Sequence, residues 1–147
     1  MDPKGSRVGI LSNGSPLFNG GAGSGWSNIR KHMLDNDLLD AIIALPGGLF
    51  YGTGIATYLW IFDNKKPESH KNKVLLINAA KDEYVQPMRK NLGMKNVLVS
   101  DYGRSEIGRI YHAFETCDNA KLMDKDDFFY TCLLYTSPSP RDGATSR

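Results

Sequence analysis

The sequence predicts an α/β fold in which short strands form one twisted sheet. Apolar runs of strand length occur at residues 7–12, 41–45 and 55–62, and a segment with helical periodicity separates the first run from the second. Two strands connected through a helix favour a parallel arrangement within one sheet. Only a short turn separates the second and third strands, so we expect them to be antiparallel neighbours.

The first helix is predicted to continue through Asn36, with Ser24 or Ser27 as the N-cap that accepts a backbone hydrogen bond. Its periodicity places three apolar side chains on the buried side: Ile29, Met33 and Leu34. The preceding residues 13–23 are rich in Gly, Asn, Ser and Pro, which favours a loop. This loop follows the carboxyl end of a strand, where open α/β sheets bind their ligands.

The second half of the chain contains less regular patterns. Residues 74–78 are predicted to form a strand, and residues 81–101 carry apolar side chains at helical spacing that a proline and a glycine interrupt. A helix is predicted for residues 105–116, with Ser105 as its N-cap. Its buried face is expected to comprise Ile107, Ile110, Tyr111 and Phe114. Residues 128–131 have the composition of a beginning strand.

Length and composition bound the class of protein. The chain has 147 residues, of which 41% are hydrophobic, enough for one domain with a core. Its net charge of +2 is too small to indicate a dedicated duplex-binding face. Apolar segments fall short of the roughly 20 residues that span a bilayer, and the first residues lack a secretory signal. We therefore expect a cytoplasmic protein without a membrane partner.

The residues that most often carry chemistry are sparse. Cys117 and Cys132 are too few for a disulfide framework or a zinc site, and neither a P-loop nor a nucleophile elbow occurs. The three histidines have no carboxylate or cysteine at metal-ligand spacing: His32, His70 and His112. We interpret them as surface or packing residues.

Residues 45–62 combine a glycine-rich turn with an apolar strand, and the turn carries Phe50 and Tyr51. Glycines permit positive φ and the close approach of another molecule, and aromatic rings can stack on a planar ligand such as a nucleobase. The alternative is that Leu49, Phe50 and Tyr51 plug the end of the sheet. From spacing alone the plug is favoured, because most aromatic residues beside a strand belong to the core.

Three motifs in the first half of the chain carry a family resemblance: RVGILSNGSPLF, GAGSGWSNIRKHMLDNDLLDAIIALP and LFYGTGIATYLWIFDNKK. They resemble the methyltransferase subunit of type I restriction-modification systems, and the resemblance continues through KVLLINA, MRKNLG and KDDFFY to residue 131. It implies a site-specific adenine-N6 DNA methyltransferase that uses S-adenosylmethionine. The implied fold is an incomplete class I, Rossmann-like α/β sheet, of which this chain holds the last three core strands and a following α+β segment.

The resemblance also implies how the chain is divided and what it lacks. Residues 1–66 correspond to the C-terminal part of the N6-adenine methyltransferase domain, and residues 67–131 to the continuation of the subunit. The family binds S-adenosylmethionine through a glycine-rich turn and methylates at an Asn-Pro-Pro-aromatic motif, and this sequence has neither. We therefore expect no catalytic residue here, and neither cofactor binding nor activity by the chain alone. The whole subunit would act with the specificity and restriction subunits on double-stranded DNA.

The target-base site follows from the same resemblance. An N6-adenine methyltransferase must flip its adenine out of the duplex and hold it in a pocket. Similar enzymes place an aromatic residue of this turn against the flipped base, and Phe50 matches that position, with Tyr51 as the second candidate. Thr53, Asn13 and Ser15 are expected to line the same pocket. The third strand would insert between the first two, leaving the first strand with an open apolar edge.

Residues 132–147, CLLYTSPSPRDGATSR, have the composition of a Ser/Pro-rich linker without a hydrophobic period. Codons for this segment can also reproduce a transposase-type sequencing adapter. We hypothesise adapter read-through, and a disordered tail is the alternative.

Two functions of other classes remain open. The chain could be a non-catalytic module that docks nucleic acid or a protein through the Phe50 turn, or an unrelated small α/β domain with an aromatic plug. In the nucleotide sequence upstream of Met1, an in-frame glycine-rich motif and an Asn-Pro-Pro-aromatic motif would establish the methyltransferase fragment, whereas a ribosome-binding site and a stop codon would favour the non-catalytic module.

Overall fold

The computed structural model describes residues 4–13 and 25–128. The strands are β1 (Arg7–Ser12), β2 (Leu39–Leu45), β3 (Thr57–Asp63), β4 (Lys73–Asn78), β5 (Val85–Leu92), β6 (Lys95–Val99) and β7 (Ala120–Asp124). The helices are α1 (Gly25–Asp35) and α2 (Asp101–Ala113), with single 3-10 turns at Glu68–His70 and Asp82–Tyr84. Ser15, Ser24 and residues 129–147 lie outside the described residues.

Five strands form one sheet in the order β1-β3-β2-β4-β7. β3 lies antiparallel between β1 and β2, so the predicted insertion of the third strand is confirmed. β1 and β2 therefore run in the same direction, separated by β3. β2 is parallel to β4, and β7 pairs antiparallel with β4. The predicted α/β class is confirmed, and the sheet continues past residue 66 through β4 and β7.

β1 forms the edge of this sheet, because among the described residues only β3 pairs with it. Ile10 and Leu11 are each 49% exposed, and Val8 is also exposed. The expected open apolar edge is therefore present. Such an edge offers unpaired backbone groups and apolar side chains to another strand.

The core has two layers, one on each face of the sheet. Successive residues of a strand point to opposite faces, so Ala41 and Ile43 pack toward α2 while Ile42 packs toward α1. This double burial explains the continuous apolar sequence of residues 41–45 in β2. On α1, Leu34 is buried and Met33 partly buried, as predicted. The prediction for Ile29 is wrong, because this side chain is 55% exposed.

Residues 85–99 are not helical, although residues 81–101 carry apolar side chains at helical spacing. They form an antiparallel hairpin of β5 and β6, in which Gly93 adopts a φ of +59° at the tip. We call this element the β5–β6 hairpin. Positive φ is accessible to glycine without steric cost, so Gly93 allows the chain to reverse.

α2 begins four residues earlier than predicted, because Ser100 and not Ser105 caps it. The Ser100 hydroxyl accepts a hydrogen bond of 3.0 Å from the Gly103 N–H. The predicted buried face is confirmed: Ile110 and Phe114 are buried, and Ile107 and Tyr111 are partly buried against the sheet.

The segment after α2 also differs from expectation. β7 forms from a polar segment that gave no strand signal. A new strand was expected at residues 128–131; Phe128 instead ends a helical turn at residues 125–128, and residues 129–131 lie outside the described residues. Phe128 is buried in the α1 layer. None of the described helices is long and apolar enough to cross a bilayer.

Candidate functional site

The turn between β2 and β3, residues 46–56, lies at one end of the sheet and is called the β2–β3 turn. Leu45 pairs with Thr57 at this end, and Ser12 at the end of β1 pairs with Tyr58. Asn13 therefore follows β1 at the same end of the sheet as the turn. Ser15 lies outside the described residues.

Two glycines fix the path of the turn. Gly48 has a φ of +74°, and its N–H donates a hydrogen bond of 3.2 Å to the Gly54 carbonyl. A Cβ at Gly47 would lie 2.7 Å from that same carbonyl oxygen. Gly52 and Gly54 have neither a positive φ nor a crowded Cβ position. The glycine requirement is thus confined to the first half of the turn.

The β5–β6 hairpin holds the turn from outside through backbone groups. The N–H groups of Asn96 and Val97 donate to the Gly48 carbonyl at 2.8 and 3.2 Å. The Met94 N–H donates to the Tyr51 carbonyl at 3.0 Å. These contacts satisfy the carbonyls of the turn without using its side chains.

Two further contacts join the hairpin to the turn. The Lys95 ammonium donates a hydrogen bond of 2.7 Å to the Leu49 carbonyl. A Cβ on Gly93 would lie 2.8 Å from the Tyr51 ring, so the glycine allows the ring to approach the hairpin tip. Sequence reasoning missed this support, because it depends on contacts between segments more than 40 residues apart.

The predicted site residues of the turn lie close together. Phe50 forms an isolated bridge with Thr53 and is half-buried, while Tyr51 is 71% exposed. The Thr53 hydroxyl accepts a hydrogen bond of 3.3 Å from the Ile55 N–H. An exposed Tyr51 does not plug the sheet. The turn therefore presents aromatic surface to solvent on a fixed backbone.

A buried polar cluster occupies the opposite end of the sheet. The Asp40 carboxylate is fully buried, lies 3.0 Å from His70 Nδ1 and accepts a hydrogen bond from the Tyr111 hydroxyl. The His70 ring stacks on Phe114 with 3.5 Å between centroids. We call these four residues the Asp40 network. His70 is thus a packing histidine whose carboxylate partner stands 30 residues away in sequence.

Arg7 covers one side of this network. Its guanidinium donates a hydrogen bond of 3.1 Å to Asp63 and lies 5.8 Å from the centre of the Tyr111 ring. The hydrogen bond to Asp63 raises the pKa of Arg7. Burial, together with the hydrogen bond to Asp40, raises the pKa of Tyr111. Among the described residues, the polar groups at this end therefore bond one another.

No group of three or more histidine, cysteine or acidic side chains is placed to hold a metal ion within residues 4–13 and 25–128.

A known family matches this sequence over most of its length. The family model for N-6 DNA methylases matches residues 1–128. The chain therefore belongs to the N-6 DNA methylase family, a family of methyltransferases.

Type I restriction enzyme methylase subunits are among its relatives. The MjaVIII subunit of Methanocaldococcus jannaschii is 32% identical over 142 residues, which cover 92% of this chain and 23% of the relative. The HindI subunit of Haemophilus influenzae is 30% identical over 121 residues, which cover 80% of this chain and 24% of the relative. The chain thus spans about a quarter of the length of these relatives.

Solved structures show the same fold. The methyltransferase subunit of a type I restriction-modification system from Streptococcus thermophilus aligns with a TM-score of 0.71 at 23% identity, covering 88% of this chain and 25% of that one. The EcoKI M protein aligns with a TM-score of 0.52 at 24% identity, covering 73% and 21%. The predicted class I methyltransferase sheet, incomplete in this chain, is confirmed.

Proposed function

We propose that this chain supplies the target-base pocket of a site-specific adenine-N6 DNA methyltransferase of the type I restriction-modification class, and that Phe50 stacks on the flipped adenine. One observation carries the proposal. The β2–β3 turn displays two aromatic rings at the carboxyl end of β2, and the β5–β6 hairpin fixes the backbone beneath them. Such a turn can receive a planar ligand without first becoming ordered.

Stacking offsets part of the cost of removing a base from the duplex. A flipped base loses its stacking and pairing partners, a cost of a few kcal/mol. An aromatic side chain returns about 1–3 kcal/mol per stacked base. Phe50 is half-buried, so packing positions its ring while part of the surface stays free. Tyr51 extends further into solvent, which supports Phe50 as the first candidate.

Polar neighbours would read the edge of the base. The Thr53 hydroxyl accepts its hydrogen bond from the Ile55 N–H, so its own proton is available to donate to a ring nitrogen of adenine. Asn13 lies at the same end of the sheet, and an asparagine amide can pair with adenine through one donor and one acceptor. Ser15 lies outside the described residues, and the proposal includes it because it follows Asn13 by two positions in the sequence.

The methyl donor would have to bind elsewhere in such a subunit. β6 and β7 run directly into helical residues, and no glycine lies at either junction. These two junctions therefore do not fit the glycine-rich strand-to-helix turn that the family resemblance associates with S-adenosylmethionine, and the connection from β1 to α1 lies largely outside the described residues. We expect calorimetry of the chain alone to detect no binding of S-adenosylmethionine. Micromolar binding would contradict this.

The proposal also covers partners. The relatives are subunits of type I restriction enzymes, which supports the proposal that the whole subunit acts with a specificity subunit and a restriction subunit on double-stranded DNA. Its activity would belong to that complex.

A segment exchange tests the proposed function. This chain replaces the matching segment of the HindI methylase subunit, and transfer of a labelled methyl group to duplex DNA is measured with the specificity subunit present. We expect the chimera to methylate adenine. In the chimera, Phe50→Ala should slow transfer by roughly tenfold to a hundredfold, the equivalent of about 1–3 kcal/mol.

Two controls make the result specific. Tyr102→Ala removes an exposed aromatic ring from α2 and should leave transfer unchanged. 2-Aminopurine at the target position reports stacking by fluorescence quenching, which Phe50→Ala should relieve. A correctly assembled chimera that does not methylate would contradict the proposed pocket. Loss of transfer with Tyr51→Ala but not with Phe50→Ala would reassign the stacking residue.

A further inference from the structure

The β5–β6 hairpin concentrates positive charge that the whole-chain balance conceals. Residues 85–99 contain Arg89, Lys90 and Lys95 and no acidic residue. The net charge of the chain is +2, so the remaining residues together carry a net charge of −1. Residues 46–56, in the adjoining β2–β3 turn, are uncharged. The small total charge therefore reflects one basic element on an otherwise nearly neutral chain.

The two cations on β5, Arg89 and Lys90, are exposed. Among the described residues, neither Arg89 nor Lys90 forms an ion pair. Cations elsewhere do form such pairs, for example Lys71 with Glu68 and Arg109 with Glu106. Unpaired cations on one strand remain available to an anionic partner.

Apolar surface adjoins these cations at the hairpin tip. Leu92 is 52% exposed and Met94 is 59% exposed. The Met94 N–H bonds the Tyr51 carbonyl, which places this apolar tip beside the Tyr51 ring. Cations interleaved with apolar and aromatic surface are typical of nucleic-acid interfaces, where the cations bind phosphates and the apolar groups contact sugars and bases.

The hairpin and the turn form one unit. Three backbone hydrogen bonds and the Lys95 ammonium connect them. The basic strand therefore lies at a fixed position relative to Phe50. An adenine held in the turn would bring the adjoining phosphates of its own duplex toward the hairpin.

We propose that the β5–β6 hairpin is a DNA-backbone clamp, in which Arg89 and Lys90 bind phosphates of the duplex that flanks the flipped adenine. This inference rests on the proposed function for its ligand, double-stranded DNA. Two lines support it: complementary charge, and the rigid connection between hairpin and turn. Lys95 is not assigned a phosphate contact, because its partly buried ammonium is directed at the Leu49 carbonyl.

The salt dependence of DNA binding tests the clamp. The full 147-residue chain is titrated against a short fluorescent duplex over a series of salt concentrations. Each phosphate contact contributes about 0.9 to the slope of log affinity against log salt. Arg89→Gln combined with Lys90→Gln should therefore lower the slope by about 1.8 and weaken binding regardless of DNA sequence.

A matched variant removes the same charge elsewhere. Lys71→Gln with Arg109→Gln deletes two ion-paired cations away from the hairpin and should leave the slope close to that of the parent chain. Equal slopes for both double variants would overturn the clamp, since net charge alone would then explain binding. Failure of the parent chain to bind the duplex at low salt would overturn it as well.

Phe50→Ala separates this inference from the proposed function. If the base-stacking role is wrong but the clamp is right, Phe50→Ala leaves 2-aminopurine quenching unaltered while the hairpin variant still lowers the slope. If the clamp is wrong and stacking is right, quenching falls with Phe50→Ala while the hairpin variant keeps the parent slope.

Discussion

At the amino end of β2 the Asp40 carboxylate is fully buried and contacts His70 and Tyr111, whereas beyond its carboxyl end the Tyr51 ring is 71% exposed. Both ends contain aromatic rings and polar groups. At the Asp40 network the side chains satisfy one another. At the β2–β3 turn the backbone of the hairpin satisfies the backbone of the turn, and the side chains remain available.

This difference separates stability from recognition within one sheet. A buried polar group that already has its partners cannot bind a ligand without losing them. An aromatic ring whose backbone is already held in place, and which is still open to solvent, can bind a ligand with little loss of conformational entropy. We therefore expect substitutions at the Asp40 network to change the free energy of unfolding. Substitutions of the aromatic rings in the β2–β3 turn should change DNA binding or methyl transfer instead.

The largest effect is expected for Asp40→Ala. The His70 ring and the Tyr111 hydroxyl would both lose their acceptor, and a buried polar group left without its partner costs about 1–3 kcal/mol of unfolding free energy. Urea denaturation followed by circular dichroism measures the change. Asp101→Ala is the matched control, because Asp101 pairs with Arg104 at the exposed surface. Similar midpoints for the two variants would show that the Asp40 network does not stabilise the fold.

Tyr111→Phe should produce the next largest loss, since it deletes one hydrogen bond to a carboxylate. Such a bond contributes about 1.5–3 kcal/mol. The folded-state pKa of Tyr111 is raised, so its stabilising contribution is complete below the unfolded value of about 10 and is lost as pH rises through the folded pKa. The difference between parent and variant should narrow above about pH 10. A difference that stays constant into that range would contradict the assigned environment.

The strands of the sheet were easier to predict from the sequence than the tertiary contacts that hold the sheet and the β2–β3 turn in place. β1, β2 and β3 are local apolar runs that short-range patterns predict, whereas the insertion of β3 between the other two was implied by the family resemblance. The Asp40–His70 contact joins residues 30 positions apart and has no local signal. The β5–β6 hairpin was missed for a related reason. Its apolar spacing imitates a helix face, and it is stabilised by the turn that it holds.

At the candidate site, too, local sequence patterns identified residues but not the tertiary contacts that position them. Phe50 and Tyr51 were singled out because aromatic residues in a glycine-rich turn are conspicuous. The role of each glycine was not predictable, since only Gly48 in that turn has a positive φ. The basic character of the hairpin became informative once contacts showed that it adjoins the turn. Local composition identified the rings, and tertiary contacts identified what positions them.

A smaller effect is expected for Gly48→Ala. Gly48 has a φ of +74°, and a Cβ there would lie 2.1 Å from Asn96 Oδ1. A non-glycine residue in this conformation costs about 1–3 kcal/mol. Gly54→Ala is the control, because its Cβ would meet nothing within 4 Å. Hydrogen exchange of the Asn96 and Val97 amides should accelerate in Gly48→Ala and not in Gly54→Ala. Equal exchange in both would argue against a fixed connection between hairpin and turn.

The smallest effect on stability is expected for Tyr51→Ala. Its ring is largely exposed and contacts the hairpin chiefly near Gly93, so the unfolding free energy should change by no more than about 0.5 kcal/mol. Thermal unfolding of the chain measures this. The Tyr51 carbonyl still accepts from the Met94 N–H in the variant, which keeps the hairpin in place. A loss of unfolding free energy comparable with that of Tyr111→Phe would show that the Tyr51 ring is part of the core. The β2–β3 turn would then contribute to stability as the Asp40 network does, and the contrast between the two ends of the sheet would be wrong.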